Sequence, residues 1–343
     1  MENPSKRTAQ QNDAIGESFE MMDFEDKIPQ LRRIIADNVK PLLQTKAIIA
    51  DAPHYENIGD SLIWRGTTDF LRENSVKLLR SYGAGYFPFP DPGKDVTIIL
   101  TGGGNFGDLW RDLQEVRLEI IDRFPENRIV MLPQSVHYQD KSLLEKDSEL
   151  MGRHSDLHLC ARDRASYSIM SAHFSRNHIH LAPDMAFWID PGMLSRHRGR
   201  EEGKSLFLLR GDKELPEDAP SARHEADVTT DWPRPERFEH TIRNLMRARR
   251  ISAWLRRHGA GSAPADRAIE IYANRFVRDS LTRKGCEFLE PFSRIITTRL
   301  HTMILSVLLH KPVEFIDNNY GKLSSFAETW LCDLSEVKPY GRN

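Results

Sequence analysis

Two short clusters in the chain combine residue types that bind anions and move protons. Arg299-Leu300-His301-Thr302 follows the apolar run Ile295-Ile296. An arginine fork grips phosphate or carboxylate through paired hydrogen bonds, and an imidazole beside it titrates near neutrality. The other cluster is Gly102-Gly103-Gly104-Asn105-Phe106-Gly107-Asp108. Three consecutive residues there lack Cβ, so a ligand can approach the main chain, and unsatisfied N–H groups at a following helix start favour negative charge. The run is neither G-x-G-x-x-G nor a P-loop. His137, in Pro133-Gln134-Ser135-Val136-His137, and Arg162 stand at similar points further along. Asp60, Asp108 and Asp184 can act as bases or hydroxyl ligands, or equally cap helices. Ser135 lacks the G-x-S-x-G surround of an activated serine nucleophile. No Asp-x-Asp or cysteine cluster marks a metal site by spacing.

These residues need elements that bring them together. Val96-Thr97-Ile98-Ile99-Leu100 reads as a strand buried on both faces, closed by the glycines and followed by a helix with Leu109, Leu113, Val116 and Ile120 at helical spacing. Asn57-Ile58-Gly59-Asp60 echoes Asn105-Phe106-Gly107-Asp108, and both are expected between a strand and a helix. Further strands are expected at 47–50, 76–79, 128–132, 157–161, 179–181, 205–210, 294–298 and 312–316, alternating with helical patterns. That is the pattern of parallel α/β sheets, whose ligands bind beyond the carboxyl ends of the strands. The expected organisation is a disordered lead-in over 1–24, a Rossmann-like lobe over 25–195, and a second over 196–343 ending in a closing helix. Between the last two groups of strands lie a long polar loop (211–227), read as a lid or insertion, and an arginine-rich helix over about 236–257. The helix's apolar positions, Ile242, Leu245, Met246, Ile251, Trp254 and Leu255, drift around its surface, which favours a packed helix with a solvated basic side over a membrane-surface helix.

The 343 residues carry 48 basic and 50 acidic side chains, a balance that argues against a nucleic-acid partner. Three scattered cysteines fit a reducing compartment without disulfides. No apolar run approaches the length of a membrane span, and the polar start lacks a signal-peptide core. A cytoplasmic location is therefore expected.

In order, Asn57-Ile58-Gly59-Asp60, Gly102 to Asp108, Pro133-Gln134-Ser135, Arg162-Asp163-x-x-Ser166, Ala182-Pro183-Asp184-Met185-Ala186 and Thr298-Arg299-Leu300-His301 resemble the motifs of the polysaccharide pyruvyl transferase family. The resemblance implies two Rossmann-like lobes similar to the two-domain (GT-B-like) glycosyltransferases. It also implies phosphoenolpyruvate as donor and co-substrate, with no resident cofactor. Arg299, Leu300 through its backbone, and His301 would hold the donor, with Arg162 as a second clamp and Gly103, Gly104 and Asn105 lining the approach. Asn57, Asp60, Asp108 and His137 would face the saccharide acceptor. His301, or less favourably His137, would supply the proton, and Asp60, Asp108 or Asp184 the base. A lipid-linked acceptor at the inner face of the membrane would suit a cytoplasmic enzyme acting on an exported polymer, with peripheral association there. The alternatives are a nucleotide-sugar glycosyltransferase, using Glu314 or Asp317 on the ribose, and a non-enzymatic member of a polysaccharide-assembly complex.

Overall fold

The computed structural model describes residues 21–84, 91–211, 214, 226–233, 238–259, 261, 263–317 and 320–341. Residues 1–20 of the expected lead-in over 1–24, and most of the 211–227 loop, lie outside the described residues. The chain begins with α1 (Phe24–Val39), capped by Asp23, so Phe24 already belongs to a helix. The first sheet comprises β1 (Lys46–Ala52), β2 (Lys77–Gly83), β3 (Val96–Leu100), β4 (Gly103–Gly107), β5 (Ile129–His137), β6 (Leu157–Ala161) and β7 (His178–Leu181). Its order is β2-β1-β3-β5-β6-β7, with β4 pairing β5, and every pairing is parallel. The crossovers are α2 (Ile58–Glu73), α3 (Arg111–Arg123), α4 (Lys141–Met151) and α5 (Arg164–His173). After a short α6 (Pro191–Leu194), the second sheet contains β8 (Lys204–Leu208), β9 (Val228–Thr230), β10 (Phe292–Thr297), β11 (Val313–Phe315) and β12 (Val337–Pro339), in the parallel order β12-β11-β10-β8-β9. Its helices are α7 (Phe238–Arg257), α8 (Ala263–Ala273), α9 (Asp279–Leu289), α10 (Leu300–Leu308) and α11 (Lys322–Trp330). The architecture is two-lobed α/β, as expected.

The unbroken apolar runs are central strands. β3 and β6 are buried at every position, because helices cover both faces of the sheet. One apolar cluster lies between the first sheet and α3 to α5. The largest starts under α1 and α2 and continues into α9, α10 and α11, so the two lobes share a core instead of meeting across a loose hinge. Gly285 of α9 marks one close approach: a methyl group there would lie 2.8 Å from Ile58 of α2.

The glycine run departs from expectation. Gly103 to Gly107 do not form a turn into a helix; they form β4, which keeps Pro133 to His137 extended as the carboxyl half of β5. Gly103 and Gly107 take φ values of +141° and +132°, and a side chain on Gly107 would overlap the His137 carbonyl. α3 therefore starts only at Arg111, with Leu109 ahead of it. The two Asn-x-Gly-Asp segments thus differ: Asn57 caps α2, whereas Asn105 lies in a strand. The chain also ends differently, since α11 is followed by the edge strand β12. α11 crosses back onto the first lobe, where Trp330 Nε1 donates to the Arg162 carbonyl at 2.7 Å and Thr329 accepts from the Arg164 amide at 3.1 Å.

Candidate active site

A cleft of about 700 Å³ lies where the carboxyl ends of β1, β3 and β4 face the exits of β8, β10 and β11. Its first-lobe wall rests on a buried network. Asp51 accepts from the Thr101 amide at 2.6 Å and from Arg117 Nε at 2.8 Å, and Arg117 also donates to the Asn105 side-chain oxygen at 2.8 Å. Three strand exits are thereby tied together. The Asn105 oxygen is occupied, so its amide nitrogen is the end left for a ligand.

Behind Gly104 sits the most unusual feature. Arg162 is completely buried, donating from Nε to Ser135 at 2.8 Å and from Nη1 to Asp184 at 2.9 Å. Its Nη2 is buried with no hydrogen-bond partner. A Cβ on Gly104 would lie 3.0 Å from that nitrogen and 2.5 Å from Lys322 Nζ, so two cations converge on a residue with no side chain. Burial pulls Lys322 down to about 8, against Glu214 at 3.6 Å, while Arg162 and Arg210 push in the same direction as burial. Burial raises the Glu214 carboxyl, but Lys322, Arg210 and Tyr320 outweigh it and hold the group well below the usual carboxylate range. An unmade hydrogen bond on a buried guanidinium is costly, and an anion at Gly104 would satisfy it.

His301 lines the cleft on the first turn of α10. Its Nε2 lies 3.5 Å from Asp184, and its Nδ1 edge lies against Gly59, where a methyl group would overlap the ring. Burial alone would raise Asp184, but His301, Arg162 and the Ala186 amide hold it at about 2. Asp184 thus stays ionised, though it does not line the cleft; it grips Arg162 and faces His301 from behind. The structure thus places Asp184 against Arg162 and His301, away from the cleft surface where a base was expected.

The remaining expected residues divide. Asp60 lines the cleft and accepts from the Tyr55 hydroxyl at 3.0 Å; burial and the neighbouring Asp60 keep that phenol protonated by raising it well above its usual range. Asp108 also lines the cleft, but one of its oxygens accepts from the Gln139 and Asp140 amides, each at 2.7 Å. Asn57 lines it with its side chain engaged as the α2 cap. Leu300 is buried, with its backbone at the start of α10. Arg299 reaches the cleft, yet both arms of its fork are bonded to Asp231 at 2.6 Å, so any anion there would compete with that carboxylate. His137 is outside: the pairing of β4 with β5 carries it past the cleft, and it stacks on Tyr320 at 4.4 Å.

The profile of the polysaccharide pyruvyl transferases matches residues 57–320. The chain belongs to the polysaccharide pyruvyl transferase family. A family member from Bacillus subtilis, "Putative pyruvyl transferase EpsO", is 33% identical over 294 residues, spanning 84% of this chain and 86% of that protein. "Pyruvyl transferase 1" of Schizosaccharomyces pombe is 27% identical, covering 85% of this chain and 72% of that one. A solved structure of an uncharacterized Klebsiella pneumoniae protein superposes with a TM-score of 0.54 at 17% identity, over 92% of this chain and 98% of that one, a likeness of fold. As a pyruvyl transferase of this family, the chain transfers pyruvate onto polysaccharide.

Sequence reasoning on this pyruvyl transferase did not single out Lys322, Arg210 and Glu214, which line the cleft. Lys322 closes a polar strand exit visible in the sequence, but nothing in Asp317 to Lys322 singles it out. One metal-type cluster also escaped spacing arguments: Asp156, His158 and His178 offer ligand atoms within 4.8 Å of one another, brought together by pairing of β6 with β7. It lies at the amino ends of those strands, away from the cleft. There Asp156 accepts from Arg128 at 3.0 Å and His158 meets His180 at 3.1 Å.

Proposed function

We propose that the chain transfers pyruvate from phosphoenolpyruvate to two hydroxyls of one sugar in an exopolysaccharide repeat unit, carried on a lipid, forming a cyclic ketal and releasing phosphate. The observation that carries this reading is the unpartnered Arg162 Nη2 beside Lys322 at Gly104. Two cations around a bare backbone suit a small donor with both a phosphate and a carboxylate. Arg162 and Lys322 hold the donor's anionic groups, with Asn105 beside them. His301 protonates the donor's methylene carbon, and the electron deficiency falls on the adjacent carbon, which already bears the phosphate ester oxygen. A sugar hydroxyl attacks that carbon and gives its proton to Asp60, from which His301 is restored. The second hydroxyl then displaces phosphate, which leaves with the remaining proton. One hydroxyl proton thus ends on the new methyl group and the other on phosphate.

The nucleotide-sugar alternative has less support. Asp317 accepts from the Leu323 and Ser324 amides at 2.9 and 3.0 Å, and Glu314 pairs with Arg294 at 3.0 Å, so both expected ribose ligands are engaged elsewhere. The test is incubation with phosphoenolpyruvate and isolated lipid-linked repeat units. Acceptor-dependent phosphate release with a new ketal methyl signal in the proton NMR spectrum is expected. Phosphate release without a ketal, or sugar transfer from a nucleotide donor, would overturn the proposal.

A further inference from the structure

The arginine-rich helix α7 has two faces, one packed and one exposed. Leu245, Arg249 and Ser252 are buried. Arg249 donates to His54, and Ser252 and Arg256 bond Asp266 of α8, Arg256 at 2.8 and 2.9 Å. The other face carries Arg243, Met246, Arg247, Arg250, Ile251, Trp254 and Arg257, spaced i, i+3, i+4, i+7, i+8, i+11 and i+14, which is one helical stripe. All seven are exposed, Ile251 at 59% and Trp254 at 57%. The drift of apolar positions in the sequence therefore resolves into a packed set and an exposed set. Of the eight large hydrophobic side chains exposed among the described residues, five lie on α7, α8 and the turn after them: Met246, Ile251, Trp254, Ile271 and Phe276. α7 holds six arginines against one acid, Glu239, in a chain whose net charge is −2.

We infer that this face of α7 docks on a bilayer containing anionic phospholipid. Arginines interleaved with Trp, Ile and Met make up the composition of helices that lie in a membrane interface, with charge attracting the headgroups and apolar side chains entering the acyl boundary. A second copy of the chain is the poorer occupant, since two such basic faces repel. Position supports the assignment as well. Arg249 reaches His54 and Gly83 at the carboxyl ends of β1 and β2, and the next residue after His54, Tyr55, lines the cleft. α7 therefore packs on the same strand end that carries Tyr55 of the cleft. The inference deepens the proposed reaction by naming the surface that delivers its acceptor.

The experiment is co-sedimentation of the full chain with extruded phosphatidylcholine vesicles, with and without phosphatidylglycerol, beside Arg247→Glu/Arg250→Glu and Ile251→Ser/Trp254→Ser. These side chains are exposed and outside the cleft, and thermal melts verify that each variant is folded. Each arginine at the surface is worth about fivefold in partitioning onto anionic lipid. Wild type is expected to pellet with the anionic vesicles alone, the charge reversal to weaken partitioning by about 25-fold or more, and the serine pair to weaken it while leaving a salt-sensitive remainder. Equal pelleting of all three proteins, absence of wild-type binding, or self-association through α7 in light scattering would each overturn the inference. No turnover enters this assay, so its failure leaves the donor chemistry standing, and failure of the donor chemistry leaves the assay readable.

Discussion

Replacing Gly104 with alanine fills the proposed anion site without removing any charge. Gly104 is not among the glycines with positive φ, so the backbone accepts alanine. The new Cβ would lie 2.5 Å from Lys322 Nζ and 3.0 Å from Arg162 Nη2. Lys322 is the flexible neighbour and gives way, whereas Arg162 is held by Ser135 and Asp184. Overpacking of this kind costs about 1–3 kcal/mol, which for lobes of this size lowers the melting temperature by at most roughly 10 °C. The loss at the donor is larger in consequence. Displacing Lys322 and covering Arg162 removes at least one charge-assisted hydrogen bond, about 1.5–3 kcal/mol, so phosphoenolpyruvate should bind about 10- to 150-fold more weakly. Titration calorimetry measures this directly, with a thermal melt as the control for folding. A double-mutant cycle with Lys322→Ala sharpens the test: with the lysine gone there is less to displace, so the two losses should fall short of additive by about 1 kcal/mol. Unchanged donor affinity in a folded Gly104→Ala protein would refute the assignment of the site.

Three further outcomes follow from the same geometry. Lys322, lowered to about 8 by burial, is charged below that pH and neutral above it, so donor affinity should fall as pH rises past 8, and Lys322→Arg should flatten the profile. Affinity independent of pH from 7 to 10 in the wild type would remove Lys322 from the site. Asp184→Asn leaves the buried Arg162 without its carboxylate and should cost about 3–5 kcal/mol in chemical denaturation. Because the folded-state carboxyl sits at about 2, below the ordinary 3.8, the stability it supplies is fully present above pH 4 and is lost as pH falls toward 2. His301→Ala should keep the melting temperature within a few degrees while lowering kcat at least 100-fold, since general acid catalysis contributes about 10²–10⁴; near-normal turnover would take His301 out of the chemistry.

The parallel architecture was legible because buried strands announce themselves as short runs of Val, Ile and Leu. Val96 to Leu100 and Leu157 to Ala161 form strands with the expected bounds. β4, β9 and β12 were not, for different physical reasons. Three of the five residues of β4 are glycine, and its conformation is set by pairing with β5 and by the His137 carbonyl, neither of which has a local signal. β9 and β12 are edge strands of three residues each, too short to show alternation. In the site, the strand-exit rule located Asp60, Asn105, Arg299 and His301 at the cleft. It did not separate residues that face a ligand from those that hold them. Asp184 and Asn57 are polar residues at strand exits like Asp60, but the tertiary fold gives them to Arg162 and to a helix start. Lys322 becomes distinctive only through burial beside Gly104, a contact across more than 200 residues of chain.

Calorimetric titration of the wild-type chain with phosphoenolpyruvate, beside a panel of nucleotide diphosphate sugars, puts the donor assignment to its plainest test. Saturable binding of phosphoenolpyruvate, lost or strongly weakened in Gly104→Ala and absent for the nucleotide sugars, is the predicted result. Saturable binding of a nucleotide sugar with no response to phosphoenolpyruvate would contradict it and make the Arg162–Lys322 pocket the seat of a different donor.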